Sequence, residues 1–149
     1  MKYLLFLAMI SLWLQCADTN QQSTENQQET PATMDKEDKK PNYRYVDGNN
    51  NTYVITPTSV DYQPIDKMMS SSGNYDGGEP IKKEIDETQY TSIQSAMNAA
   101  IENTAAHIDK REMGSGWIMV EGGGSYRIAY RAKEKAEIEK VLKGVIGGE

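Results

Sequence analysis

The chain has 149 residues, one cysteine, one histidine and a formal net charge of −6. No basic run is interleaved with aromatics, so nucleic acid is not an expected partner, and the acidic balance argues mainly for solubility. A lone cysteine excludes an internal disulfide, and one histidine among scattered carboxylates does not specify a metal site, so neither metal nor other cofactor is expected.

Met1-Lys2 gives a short positive start, Tyr3–Leu14 (YLLFLAMISLWL) is apolar apart from Ser11, and Gln15-Cys16-Ala17 follows. That is the layout of an export signal, and the apolar run is shorter than the about 20 residues a spanning helix needs. With the cysteine at the end of the apolar run, residues 1–16 resemble a bacterial lipoprotein signal, although Leu14 and Gln15 stand where such signals carry small residues. The resemblance implies that Cys16 is lipidated and begins the mature protein, anchored by its lipid to a membrane of the cell envelope. The alternative is ordinary cleavage after Ala17, which leaves a soluble periplasmic or secreted chain.

Residues 17–48 read as a disordered polar tether. Thr19–Thr30 (TNQQSTENQQET) holds no apolar residue, and the stretch to Lys40 adds a proline and the mixed charges MDKEDKK. Such a composition cannot bury enough surface to offset chain entropy. About 30 flexible residues reach only about 30 Å on average, which suits a domain held near a surface.

Residues 49–149 are long enough for one domain with one core. Tyr53–Thr56 is β-branched and aromatic and reads as a strand. Val60–Met69 reads as extended, weakened by Pro64, and Ser70–Gly78 (SSSGNYDGG) as a loop. Ile81–Ile85 alternates apolar and polar residues. Asp86 then stands as a helix N-cap with Gln89 at the capping-box position, and Ile93, Met97, Ala100 and Ile101 follow at helical spacing to about Ala106. Trp117–Glu121 and Ser125–Arg131 read as a hairpin across Gly122-Gly123-Gly124, and Ala132–Lys143 as a second amphipathic helix. The order predicts an α+β fold: a two-layer sandwich in which an antiparallel sheet of about four strands carries two helices on one face.

Placing all three glycines in the turn puts Glu121 opposite Ser125. Ile118, Val120, Tyr126, Ile128 and Tyr130 then share a core-facing side, and Trp117, Met119, Arg127, Ala129 and Arg131 share the other. Trp and Arg carry much of the energy in protein interfaces, and Met adapts to irregular partners. Trp117, Met119, Arg127 and Arg131 are therefore one candidate partner-binding surface; burial of Trp117 under a neighbour, or simple stacking on an arginine, is the competing reading. Tyr75 and Asp76 in the Ser70–Gly78 loop are a second candidate, a tyrosine among small polar residues as recognition loops use; an ordinary long connection competes with it. Catalysis has little support. His107 precedes Asp109 by two residues, but Ser115 within Gly-Ser-Gly lacks the pattern of a nucleophile elbow, and positive charge after a helix has a structural use. The expected function is that of a small, lipid-anchored envelope protein that binds another protein, as an inhibitor, an immunity-type protein or an assembly accessory. The alternatives are a small envelope enzyme using Asp/Glu residues and a purely structural lipoprotein.

Overall fold

Tyr43-Arg44-Tyr45-Val46 alternates large buried rings with more exposed residues, and so forms a strand although the stretch before it is mostly polar. It is β1 (Tyr43–Val46) in a computed structural model that describes residues 39–70, 73–75 and 77–147. β2 (Thr52–Thr56), β3 (Ser59–Gln63), β4 (Ile81–Glu84), α1 (Glu87–Glu102), β5 (Gly116–Val120), β6 (Ser125–Ile128) and α2 (Lys133–Gly147) follow. The expected signal, Cys16, most of the tether and Asp76 lie outside the described residues.

The fold is α+β, with two helices and one antiparallel sheet of six strands in the order β4-β3-β2-β1-β5-β6. About four strands were expected, and the difference begins with β1, which falls inside the stretch read as tether. Asp47 sets its boundary. This side chain accepts hydrogen bonds from the backbone N–H of Asn49 and Asn51, and Asn50 takes a left-handed conformation (φ 72°), so the chain turns straight into β2. The residues just before β1 are held as well. Tyr90 Oη of α1 donates to the Pro41 carbonyl at 2.6 Å, and Lys40 pairs with Glu87.

β3 ends at Gln63, before Pro64, and Lys67–Met69 is a single 3₁₀ turn capped by Asp66 rather than a continued strand. The capping box at α1 is formed in full: Gln89 N–H donates to Asp86 Oδ1 at 2.8 Å, and Asp86 N–H to Gln89 Oε1 at 3.1 Å. α1 stops at Glu102, and the turn to Ala106 is 3₁₀. Asn103 Nδ2 then donates to Glu134 Oε1 at 2.8 Å, tying the end of α1 to the first turn of α2.

The buried face of the sheet is a row of tyrosines. Tyr62, Tyr53 and Tyr45 are cross-strand neighbours with ring centroids 4.9 and 6.0 Å apart, and Ile118 continues the row on β5. Ile55, Val60 and Ile128 fill the same side, against Ile93 and Met97 of α1 and Ile138 and Leu142 of α2. Tyr43 Oη donates to Asn98 on α1 and Tyr45 Oη to Glu139 on α2, both at 3.2 Å. Two residues apart on one strand, these side chains leave the same face of β1.

Candidate functional site

β5 alternates across the pleat. Ile118 is fully buried, while Trp117 and Met119 are half-buried on the opposite face. In the β5–β6 hairpin Met119 stands opposite Ser125, and Trp117 opposite Arg127. This register differs by two residues from a turn made of the three glycines alone. Val120 N–H bonds to the Gly124 carbonyl and Gly123 N–H to the Val120 carbonyl, so the tight connection starts earlier. A shift of two preserves the faces, where a shift of one would have exchanged them.

Trp117 and Arg127 are consequently direct cross-strand partners. The guanidinium carbon lies 4.6 Å from the indole centroid, and the indole N–H donates to Ser125 Oγ at 2.6 Å. Such stacking is electrostatically favourable and fixes the plane of the guanidinium. β1 extends the patch: Val46 is the cross-strand neighbour of Trp117, and exposed Arg44 that of Met119. Arg111 arrives from the loop before β5 and is hydrogen-bonded to Asn50 Oδ1. Trp117, Met119 and Arg127 thus come together on one face. Arg131 does not join them. β6 ends at Ile128 because its partner Gly116 is the first residue of β5, and Arg131 stands exposed in the turn before α2. Tyr130, expected on the core side, is 59% exposed for the same reason.

The second candidate is changed more. Tyr75 is half-buried, and its hydroxyl accepts a 2.7 Å hydrogen bond from Asn51 Nδ2. Asn51 is the hub here. The same amide nitrogen donates to Asp47 Oδ2 at 2.8 Å, and its oxygen accepts from Ile65 N–H at 3.0 Å. Asn51 was not singled out in the sequence; its place directly after an Asp-Gly-Asn-Asn turn was the available signal. Beside the loop runs a cleft of about 550 Å³, bordered by Tyr53, Tyr62, Tyr75, Tyr130, Lys135 and Glu139. Lys135 is buried there, with its ammonium 2.7 Å from Glu139 Oε1 and 5.6 Å from the Tyr130 ring centroid. Of the three carboxylates that border the cleft, Glu139 is held by Lys135 and Tyr45 and Asp47 by the turn it organises, while Glu79 stands exposed at its edge.

His107 follows the 3₁₀ turn, and its Nε2 sits 2.9 Å from the Ala100 carbonyl, an acceptor at the end of α1, while the ring packs on Tyr126 at 5.5 Å. The Ser115 hydroxyl donates to the Glu112 carbonyl at 2.7 Å. Both side chains thus close local backbone. Among the described residues no three His, Cys, Asp or Glu side chains converge as metal ligands, and no helix is long and apolar enough to cross a membrane. No protein-family model, curated protein or solved structure matches the chain.

Proposed function

We propose that this is a small exported protein, held at the bacterial cell envelope by a lipid on Cys16, that binds a protein partner with the sheet face carrying Trp117 and Arg127. In this reading the residues between Cys16 and Lys40 are a spacer. The helices cover the Tyr43–Tyr45 side of the sheet as the second layer of a two-layer sandwich, leaving the opposite side to a partner. The observation that carries the reading is the partial exposure of Trp117, Met119 and Arg127 together on one sheet face with Val46 alongside, since the Trp117–Arg127 stack by itself is also what the competing reading, simple stacking on an arginine, expects. An inhibitor, an immunity-type protein or an accessory subunit of an envelope assembly would each work this way.

Partner capture tests it. The full chain is immobilised and incubated with envelope and secreted fractions, beside a Trp117→Ala/Arg127→Ala bait shown by circular dichroism to be folded. A saturable partner, re-formed as a complex from purified components and lost with the double variant, is the expected result. A partner held equally by both baits would move the binding surface elsewhere, and a folded bait that captures nothing would sink the proposal. The anchor is tested separately by mass spectrometry of the mature N-terminus; a chain starting at Asp18 without lipid would end the lipoprotein reading.

A further inference from the structure

Beside Trp117 the sheet face ends in a notch of about 160 Å³, bordered by Val46, Asn50, Arg111, Ser115 and Arg127. Two guanidinium groups therefore border one small hollow. All four ion pairs among the described residues are made by lysines, and neither Arg111 nor Arg127 has a carboxylate partner there. Asp47 also borders the notch, but both its oxygens are engaged by the β1–β2 turn and by Asn51. Arg111 is hydrogen-bonded to a neutral amide, and Arg127 lies on an indole ring. Each contact orients a guanidinium without neutralising it.

We infer that the notch is a carboxylate grip: the partner protein presents an Asp or Glu side chain that Arg111 and Arg127 hold together while its neighbouring apolar atoms rest on Trp117 and Met119. This rests on the reading of the face as a docking surface and specifies its chemistry. Guanidinium forks match a carboxylate bidentately, and stacking on the indole reduces the rotamer entropy still to be lost. A hollow of this size takes a side-chain carboxylate, and the apolar wall beside it removes water from the charge pair, which strengthens it. Exposed Arg44, across from Met119, adds a third positive charge to this half of the face, in a chain whose net charge is −6. The acidic partner is thus attracted to one region of a molecule that would otherwise repel it.

The test uses Trp117 as its own reporter. The other tryptophan, Trp13, lies before Cys16 and is absent from a processed chain, and Trp13→Phe leaves Trp117 as the single emitter in an unprocessed one as well. Hexaglutamate is titrated into the full chain, in neutral detergent, at fixed ionic strength. A saturable change in emission is expected, weakened about tenfold by Arg111→Gln and by Arg127→Gln and abolished by both together, with Lys83→Gln as an unaffected control. Near-ultraviolet circular dichroism checks that each variant is folded. No saturable response would overturn the inference, as would a response that survives the double variant. An equal response to inorganic phosphate would reduce the notch to a general anion site and overturn it too. So would a concentration-dependent dimer dissolved by the double variant, since the grip would then belong to a second copy. Capture that is lost with Trp117→Ala but kept with both glutamine variants overturns the carboxylate grip alone. Hexaglutamate binding without any captured protein upholds the grip and overturns the protein-partner reading.

Discussion

Trp117 and Ile118 are neighbours in sequence and opposites in environment, which makes them a matched pair for experiment. Ile118 is fully buried, so Ile118→Ala should cost about 2–5 kcal/mol in urea denaturation, the range for core truncations. Trp117 is half-buried and rests on Arg127, so Trp117→Ala should cost less than about 2 kcal/mol while removing most of the partner's contact. A loss of about 3 kcal/mol or more would make Trp117 a core residue and remove the anchor of the proposed surface. Gly116 is a third informative position. A Cβ there would meet Tyr45 Oη at 2.7 Å and its ring at 3.0 Å, and Tyr45 is enclosed by Tyr53 and Glu139. Gly116→Ala should therefore cost about 1–3 kcal/mol through displacement of Tyr45, seen as a lower denaturation midpoint.

Elements whose own residues carry their boundaries are those the sequence shows best. α1 is one: Asp86 and Gln89 form the box that their spacing announces, and Asp86→Ala should cost about 1 kcal/mol in the same assay, with a visible loss of helical signal if the first turn frays. The Gly-rich hairpin is another, and its faces survive a two-residue difference in register because the pleat repeats every two. β1 was hidden for the opposite reason. Its Tyr-Arg-Tyr-Val pattern spans four residues, and a polar run of some twenty-five residues precedes it, so composition outweighed alternation. That Trp117 and Arg127 share a face was legible, since both lie in the hairpin, but their direct pairing was not, because a turn of the three glycines alone sets Ala129 opposite Trp117. The notch was not, because Arg111 and Asn50 come from separate loops and meet only when β1 is laid against β5. The α1–α2 junction was equally invisible. The Asn103 amide, and then the backbone N–H of Glu134 itself, hold the Glu134 carboxyl below its usual range. A depressed folded pKa stabilises above the ordinary value and is lost as pH falls through the folded one. The stability gap between wild type and Glu134→Gln should therefore be full near neutrality and shrink below about pH 4.5, and a gap independent of pH would refute this role.

At the scale of the whole molecule, five tyrosines are buried in the core of the described residues beside its aliphatic side chains. Burial pushes Tyr45 and Tyr53 far above the usual phenol range, with Glu139 and Asp47 adding to it respectively, and raises Tyr90 to about 12. A raised folded pKa contributes stability below the ordinary value of 10.0 and loses it as pH rises toward the folded values. An alkaline titration followed at once by phenolate absorbance and circular dichroism should show the buried tyrosines ionising only as the fold is lost; early ionisation with the fold intact would contradict their burial. Strand order carries a consequence of another kind, in time. β1 lies in the middle of the sheet, yet the Val46–Trp117 pair joins residues 71 positions apart, whereas the β1–β4 meander closes locally. A chain emerging N-terminus first can complete that meander long before β5 exists. Until then one side of β1 is a bare row of amide and carbonyl groups, and long-range pairing of this kind is slow. The carboxy-terminal quarter of the chain thus acts late, as the piece that seals the centre of the sheet. A product truncated before Gly116 will self-associate through Tyr43–Val46, with a mass that climbs with concentration.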